Sequence, residues 1–338
     1  MKYPAVSLSL VSSFIISLSS ADYSVNLVSL PADPLLSYLD NTTSFPQTFN
    51  PSWVESSPGT MGVKGLLVRS QNCTFTPGKC IACNGLNPFR GSVISFAVQR
   101  NDGSFEQPYL VFAPANAEED MGTEDPRVKY DSTTGLYHMF YTCYSSGPNG
   151  GLCHATTTNP TAPYPGVWIR HGVMWKGKSA ALLLMPNPPH FLYQGDSNIQ
   201  LWSTHDLYNY TLLNSSFITP RENMFDSRLC EAGPPPLLLS DGNYIFFHNS
   251  ANQSNAYHPG FVILNGADPT QILQRSSSSI LSPTRDWEIG SYPAECNVPN
   301  VVFLEAAAPV DGMVDNFDVW FGGSDAVIGT ARFSVTKT

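Results

Sequence analysis

The sequence predicts an all-β protein, specifically a five-bladed β-propeller. Long amphipathic helical stretches are absent, and 28 prolines and 25 glycines punctuate short aromatic and β-branched runs. One pattern, an apolar strand, a polar turn and a second strand, recurs five times along the 338 residues. A hairpin cannot bury both its faces alone, and radial repetition of four-stranded blades is the architecture that absorbs such units. A β-sandwich would contain similar hairpins without giving their number a meaning.

In chain order, the first element is not a blade. Lys2 precedes the apolar, serine-rich run V-S-L-S-L-V-S-S-F-I-I-S-L, which ends in S-S-A. This is the pattern of a cleaved secretory leader over residues 1–21, too short and too rich in serine for a good membrane span. The mature chain, 22–338, is expected to form a single propeller domain. The hairpins pair G-L-L-V-R-S (65–70) with V-I-S-F-A-V-Q (93–99), Y-H-M-F-Y-T (137–142) with G-L-C-H-A-T-T (151–157), and H-F-L-Y-Q-G (190–195) with N-I-Q-L-W-S-T (198–204). Two more pair Y-I-F-F-H-N (244–249) with G-F-V-I-L-N-G (260–266) and D-V-W-F-G-G (318–323) with A-V-I-G-T-A-R-F (326–333). If the first strand of each hairpin lines the central channel, Arg69, Tyr141, Tyr193, His248 and Asp325 converge near one end of the axis.

A secreted chain predicts disulfides and glycans. Sequons begin at Asn41, Asn72, Asn209, Asn214 and Asn252. Cys143 and Cys153 flank a Gly/Pro-rich turn that a hairpin disulfide can close, while an odd total of seven cysteines leaves one thiol unassigned. The C-x6-C-x2-C cluster at Cys73, Cys80 and Cys83 lacks a fourth ligand at zinc spacing, so neither metal nor cofactor is expected. A net charge of −10 without any basic run argues against nucleic acid and anionic membrane surfaces, both of which are held through clustered Lys and Arg. A neutral, hydroxyl-rich ligand is compatible with 12% aromatic and only 13% charged residues.

Against that low charge, two dense segments stand out: G-T-E-D-P-R (122–127) and E-A-G-P-P-P (231–236). Each sets a carboxylate, Asp125 or Glu231, on a loop stiffened by proline. Glycoside cleavage needs such a pair, one acid for the leaving oxygen and one base or nucleophile. With Y-H-M-F-Y-T-C-Y (137–144), F-F-H (246–248), R-D-W-E-I-G (285–290), N-V-P-N-V-V-F (297–303), G-G-S-D-A-V-I-G (322–329) and F-N-P (49–51), the chain resembles glycoside hydrolase family 130, the β-mannoside phosphorylases and β-mannosidases.

That resemblance implies a five-bladed propeller acting on β-mannosides or manno-oligosaccharides, with Asp125 as general acid, whose proton passes through a sugar hydroxyl in the phosphorylases. It implies that Asp325 binds mannosyl hydroxyls, that Asn50, Arg69, Arg127 and Tyr141 line or brace the same subsite, and that Glu288 lies near its rim. Glu124, Lys178 and His248 complete the expected substrate-binding set. Family phosphorylases hold phosphate with cations, yet here Leu229 and the Gln194–Gly195 segment replace two of them and Glu231 adds a negative charge. An inverting hydrolase with Glu231 as base is therefore expected. Phosphorolysis aided by Lys178 and His248, and a sugar-binding propeller without catalysis, are the alternatives.

Overall fold

The computed structural model describes residues 22–37, 45, 47–76, 79–84, 89, 91–290 and 298–338, without the side chains of 72–84. The leader, the Asn41 sequon and Cys296 lie outside the described residues, as do the side chains of Asn72, Cys73, Cys80 and Cys83.

Five antiparallel sheets form the five blades of a β-propeller. All five hairpins pair as the sequence predicts; Gly65 faces Val98, Tyr137 faces Thr157 and Gly323 faces Val327. Their place in the blade differs from the expectation, because they are the two middle strands. The inner strands lie one step earlier: Gln47–Val54, Gly122–Asp131, Ala180–Leu183, Leu229–Ala232 and Val302–Pro309. These are almost wholly buried, whereas the opposite edges, such as Ile169–Trp175 and Tyr210–Ile218, face solvent. Middle strands carry regular apolar runs because neighbouring blades cover both their faces. Inner strands are broken by proline, glycine and charge, which hides them from a search for hydrophobic periodicity.

Blades meet through aromatic contacts. Trp53 stacks on Trp320 at 4.8 Å between the first and last blades, and Tyr193 lies 4.9 Å from Phe246 between the third and fourth. The ring closes non-locally, since Tyr23–Ser29 supplies the outer strand of the last blade, pairing from Tyr23↔Lys337 to Ser29↔Arg332. The Cys143–Cys153 disulfide ties the middle hairpin of the second blade, with a Cα–Cα distance of 5.8 Å, while Cys230 is a buried free thiol.

Two predictions follow from this packing. Deleting residues 22–29 exposes the backbone edge of Val327–Lys337 and removes the clasp, so Tm is expected to fall by roughly 5–10 °C with increased aggregation on calorimetric scanning. The second concerns His138, whose Nδ1 lies 3.1 Å from Nε2 of His154, whose ring centre is in turn 4.7 Å from that of His171. Burial, reinforced by neighbouring imidazoles and only partly offset by Asp131 beside His138, lowers His138 to about 4 and His154 to about 2. Both lie below the unfolded histidine value, so their contribution is complete above pH 6.5 and is lost as pH falls from there toward 4. Each costs up to about 1.4 kcal/mol per pH unit in that window. Denaturant midpoints between pH 7 and 4.5 are expected to drop less steeply in His138→Gln than in wild type.

Candidate active site

The site begins as a set of interruptions in the inner strands. Asn50 (φ 50°) sits in a bulge between Phe49 and Pro51, and Asp125 (φ 50°) in one between Glu124 and Arg127. In both, a left-handed Asn or Asp precedes a proline. Those two residue types tolerate the left-handed region best, and proline has no N–H to leave unpaired. Ser179 (φ 58°) opens the third inner strand, and Ser324 and Asp325 (φ 49° and 55°) form the turn of the last blade. A further bulge, between Leu304 and Ala306, sets Glu305 apart. Glycines create the room: a Cβ on Gly122, at φ 142°, would lie 2.7 Å from Ser92 N, and one on Gly322 would lie 2.4 Å from Asn50 Oδ1.

Around Asp125 the side chains interlock. Asn50 Nδ2 and Arg69 Nη1 donate to Asp125 Oδ1 at 2.9 and 3.1 Å, and Arg69 Nη2 donates to Glu124 Oε1 at 2.6 Å. Ser92, not singled out from sequence, donates to Glu124 at 2.9 Å and accepts from Arg69 Nε at 2.9 Å. Burial alone would push Asp125 up, but Arg69, Lys178 and Arg127 outweigh it and hold the carboxyl at about 2. The neighbouring carboxyls go the other way. Burial raises Glu124, against the pull of Arg69, and burial with the nearby charge of Asp125 pushes Asp325 up to about 6. Arg69 is held cationic by Glu124, Asp125 and Asp325 even though its burial opposes the charge.

Glu231, 1% exposed, is reached from the next blade. Lys178 Nζ lies 3.0 Å from its Oε1, and the Ser179 hydroxyl donates to the same oxygen. Glu231 raises the Lys178 ammonium, and Asp125 adds to the effect, so one lysine feels both carboxylates. The Gln194 position marked in the sequence as a lost cation lies here, with its Nε2 donating to Lys178 O at 3.0 Å. Arg127, 1% exposed, joins the two loops: Nη1 donates to Asp125 O at 3.0 Å, Nη2 to Ala232 O at 2.9 Å and Nε to Gly233 O at 3.2 Å. The backbone beside Asp125 is thereby tied to the backbone beside Glu231.

Asn50, Arg69, Glu124, Asp125, Arg127, Lys178, Glu231 and Asp325 thus come together, while three other predicted residues do not touch this cluster. The Tyr141 hydroxyl donates to Glu119 at 2.6 Å between blades, and Arg170 holds the other side of that carboxylate. Glu288 accepts from Thr284 N and Arg285 N at 2.8 and 2.9 Å, capping its own short helix. His248 is fully buried beside Ser250 and Phe225, and burial with nearby Arg275 lowers it to about 3, so it is a neutral imidazole. Sequence reasoning also passed over Glu305, which lies 2.6 Å from Arg127 Nη2. Its signal was a lone glutamate in the apolar run V-V-F-L-E-A-A-A.

Residues 92–338 match the family model described as beta-1,4-mannooligosaccharide phosphorylase. The chain belongs to glycoside hydrolase family 130. Within sequence relatives, it is 30% identical over 250 residues to the 1,2-beta-oligomannan phosphorylase of Thermoanaerobacter sp. (strain X514), covering 71% of this chain and 78% of the relative. Its fold is similar to that of a glycosyl hydrolase from Bacteroides ovatus, with a TM-score of 0.71 at 23% identity over 90% and 93% of the two chains. It is similar too, at a TM-score of 0.71 and 22% identity over 94% and 95%, to a structure described as showing that the GH130 family of mannoside phosphorylases contains glycoside hydrolases that target beta-1,2 mannosidic linkages in Candida mannan.

The opposed carboxyls of this family 130 site are separable by titration. With carboxyl-labelled aspartate, carbon NMR is expected to show Asp325 titrating near 6 while Asp125 stays ionised to far lower pH. In Arg69→Met, the loss of the nearest cation is expected to raise the Asp125 midpoint by roughly 1–3 pH units.

Proposed function

We propose that this protein cleaves β-mannosidic bonds by inverting hydrolysis, with Asp125 delivering the proton and Glu231 activating water. The observation that carries the proposal is the Lys178–Glu231 pair at 3.0 Å. A phosphorylase must cradle a dianion with uncommitted cations. Here Lys178 is engaged by Glu231, Arg69 by Glu124 and Asp125, and Arg127 by Glu305, while His248 is neutral. Asp125 stays ionised beside Arg69 and Glu231 sets a further carboxylate against Lys178, an arrangement that disfavours phosphate and admits water.

In the reaction, Glu231 takes a proton from water as the water oxygen bonds to the anomeric carbon. The glycosidic C–O bond breaks and the leaving oxygen receives the proton that Asp125 supplies, directly or through a sugar hydroxyl. Arg69 and Lys178 keep Asp125 ionised in the empty site. Proton delivery near neutral pH therefore requires bound sugar to exclude water and draw away the hydrogen bonds of Arg69, raising the carboxyl in the complex. Asp325 and Asn50 suit the hydroxyls of the mannosyl unit. The enzyme is proposed to act outside the cell, a reading supported by the Cys143–Cys153 disulfide and by the exposed side chains of Asn209 and Asn214.

Phosphorolysis is the second reading, favoured by the names of the family model and of the Thermoanaerobacter relative. Arg228, exposed and close to Tyr257, which also feels Glu231, has no carboxylate partner among the described residues and offers phosphate a charge. Proton NMR of β-1,2- and β-1,4-mannoside cleavage separates the readings. Hydrolysis predicts α-mannose as the first product at a rate independent of phosphate; formation of mannose 1-phosphate establishes the phosphorylase, and β-mannose first establishes a retaining mechanism. Asp125→Asn and Glu231→Gln are each expected to lower kcat by about 10²–10⁴ with binding largely preserved. Near wild-type turnover in Glu231→Gln would remove it as the base, and a panel without any cleavage would leave a sugar-binding propeller.

A further inference from the structure

Glu305 takes no part in the chemistry above, yet it is a fully buried carboxyl on an inner strand. It is 0% exposed, its bulge interrupts the last inner strand, and its Oε1 lies 2.6 Å from Arg127 Nη2. The contact is close but not an aligned hydrogen bond, so among the described residues both Glu305 oxygens are without a hydrogen-bond donor. Such a group is costly to bury and is retained at a site where removing it costs more. Glu305 also lines a cavity walled by Trp53, Val128, Pro235 and Leu237. The other charged groups on that wall, Lys129 and Glu55, pair with each other at 3.3 Å. Arg127 is therefore the cation in contact with Glu305 among the described residues, with Lys178 acting on it from farther off.

Arg127 has its own three commitments: the carbonyls of Asp125, Ala232 and Gly233. Asp125 is the left-handed residue of its bulge, and Ala232 directly follows Glu231. A guanidinium presents its five N–H groups in one rigid plane, so whatever orients that plane orients both loops. The electrostatics agree in direction: burial pushes Glu305 far up, Arg127 opposes it, and the charges of Asp125 and Glu231 add to the rise. The four groups thus act on one another as a unit.

We infer that Glu305 is a positioning residue, clamping Arg127 from behind and through it fixing the distance between Asp125 and Glu231. The inference rests on the mannoside-cleaving reading for its kinetic consequence but not for its geometry. An acid and a base that must act on opposite sides of one anomeric carbon tolerate little error, and a displacement near 1 Å costs about 10²-fold in rate. The sugar-binding residues Arg69, Asn50 and Asp325 do not contact Glu305, so the loss is expected in kcat and not in KM.

Three variants of the full chain test this: Glu305→Ala, Glu305→Gln and Arg127→Lys. Glu305→Ala is expected to lower kcat roughly 10–100-fold with KM within about twofold of wild type. Glu305→Gln keeps an oxygen facing Nη2 and is expected to recover most of that loss. Lysine cannot span three carbonyls, so Arg127→Lys is expected to lose kcat as Glu305→Ala does, including if the alanine variant fails to fold. Crystal structures of Glu305→Ala and Arg127→Lys are expected to show at least one of the three carbonyl contacts broken and the two carboxyls displaced. The inference is overturned by a kcat within twofold of wild type in both variants, by a rise in KM at unchanged kcat, or by structures in which Asp125 and Glu231 have not moved. A wild-type protein without activity on any mannoside refutes the functional reading alone, and the crystal structures then decide the clamp independently.

Discussion

Loss of strand pairing within the inner strands is the constraint on which the site depends. A blade is held together by its ladder of backbone bonds, and an inner strand that kept its ladder throughout would present only alternating side chains to a narrow channel. Bulges at Asn50, Asp125 and Glu305 break the alternation and turn polar groups toward each other. Left-handed backbone at ordinary residues costs of order 1–3 kcal/mol and persists only where surrounding structure enforces it. Enforcement here comes from Asn50 and Arg69 on the carboxylate of Asp125 and from Arg127 on its carbonyl.

Crowding these carboxyls divides their properties. Groups of similar intrinsic acidity are spread from about 2 for Asp125 to about 6 for Asp325, because Arg69 and Lys178 favour the first while burial and repulsion act on the second. Such separation is what lets one pocket hold both a permanent charge and a titratable group near neutral pH. It also ties the cations of the site to particular carboxyls. Lys178 counts as a phosphate ligand only when nothing else holds it, and Glu231 holds it at 3.0 Å.

Tyr141, Glu288 and His248 are each engaged in supporting structure. Tyr141, with Glu119 and Arg170, braces the segment that leads into Gly122–Asp131. Glu288 caps a one-turn helix whose Trp287 packs over the glycines of the last blade. His248 belongs to the second strand of its blade and stacks on Phe225. These residues share motifs with the site because a motif is a stretch of chain, and adjacent side chains on a strand point to opposite faces.

The all-β class, the five hairpins and the two proline-braced carboxylates were legible in the sequence, because hydrophobic periodicity and proline punctuation are local properties of the chain. So was the Cys143–Cys153 pair, set by a short turn. The identity of the inner strands was not legible, since what marks them is burial against other blades, and their broken patterns resemble loops. Nor was the closing role of Tyr23–Ser29, whose partner lies some three hundred residues away at Val327–Lys337. Glu305 read as an isolated glutamate in an apolar strand, and only the arrival of Arg127 from another blade explains it. Chain order determined which chemical groups this protein carries and how stiffly each is mounted. Closure of the ring decided which of them meet, because the distances and dielectric that turn Asp125, Lys178 and Glu231 into one electrostatic unit exist only when separate blades share an axis.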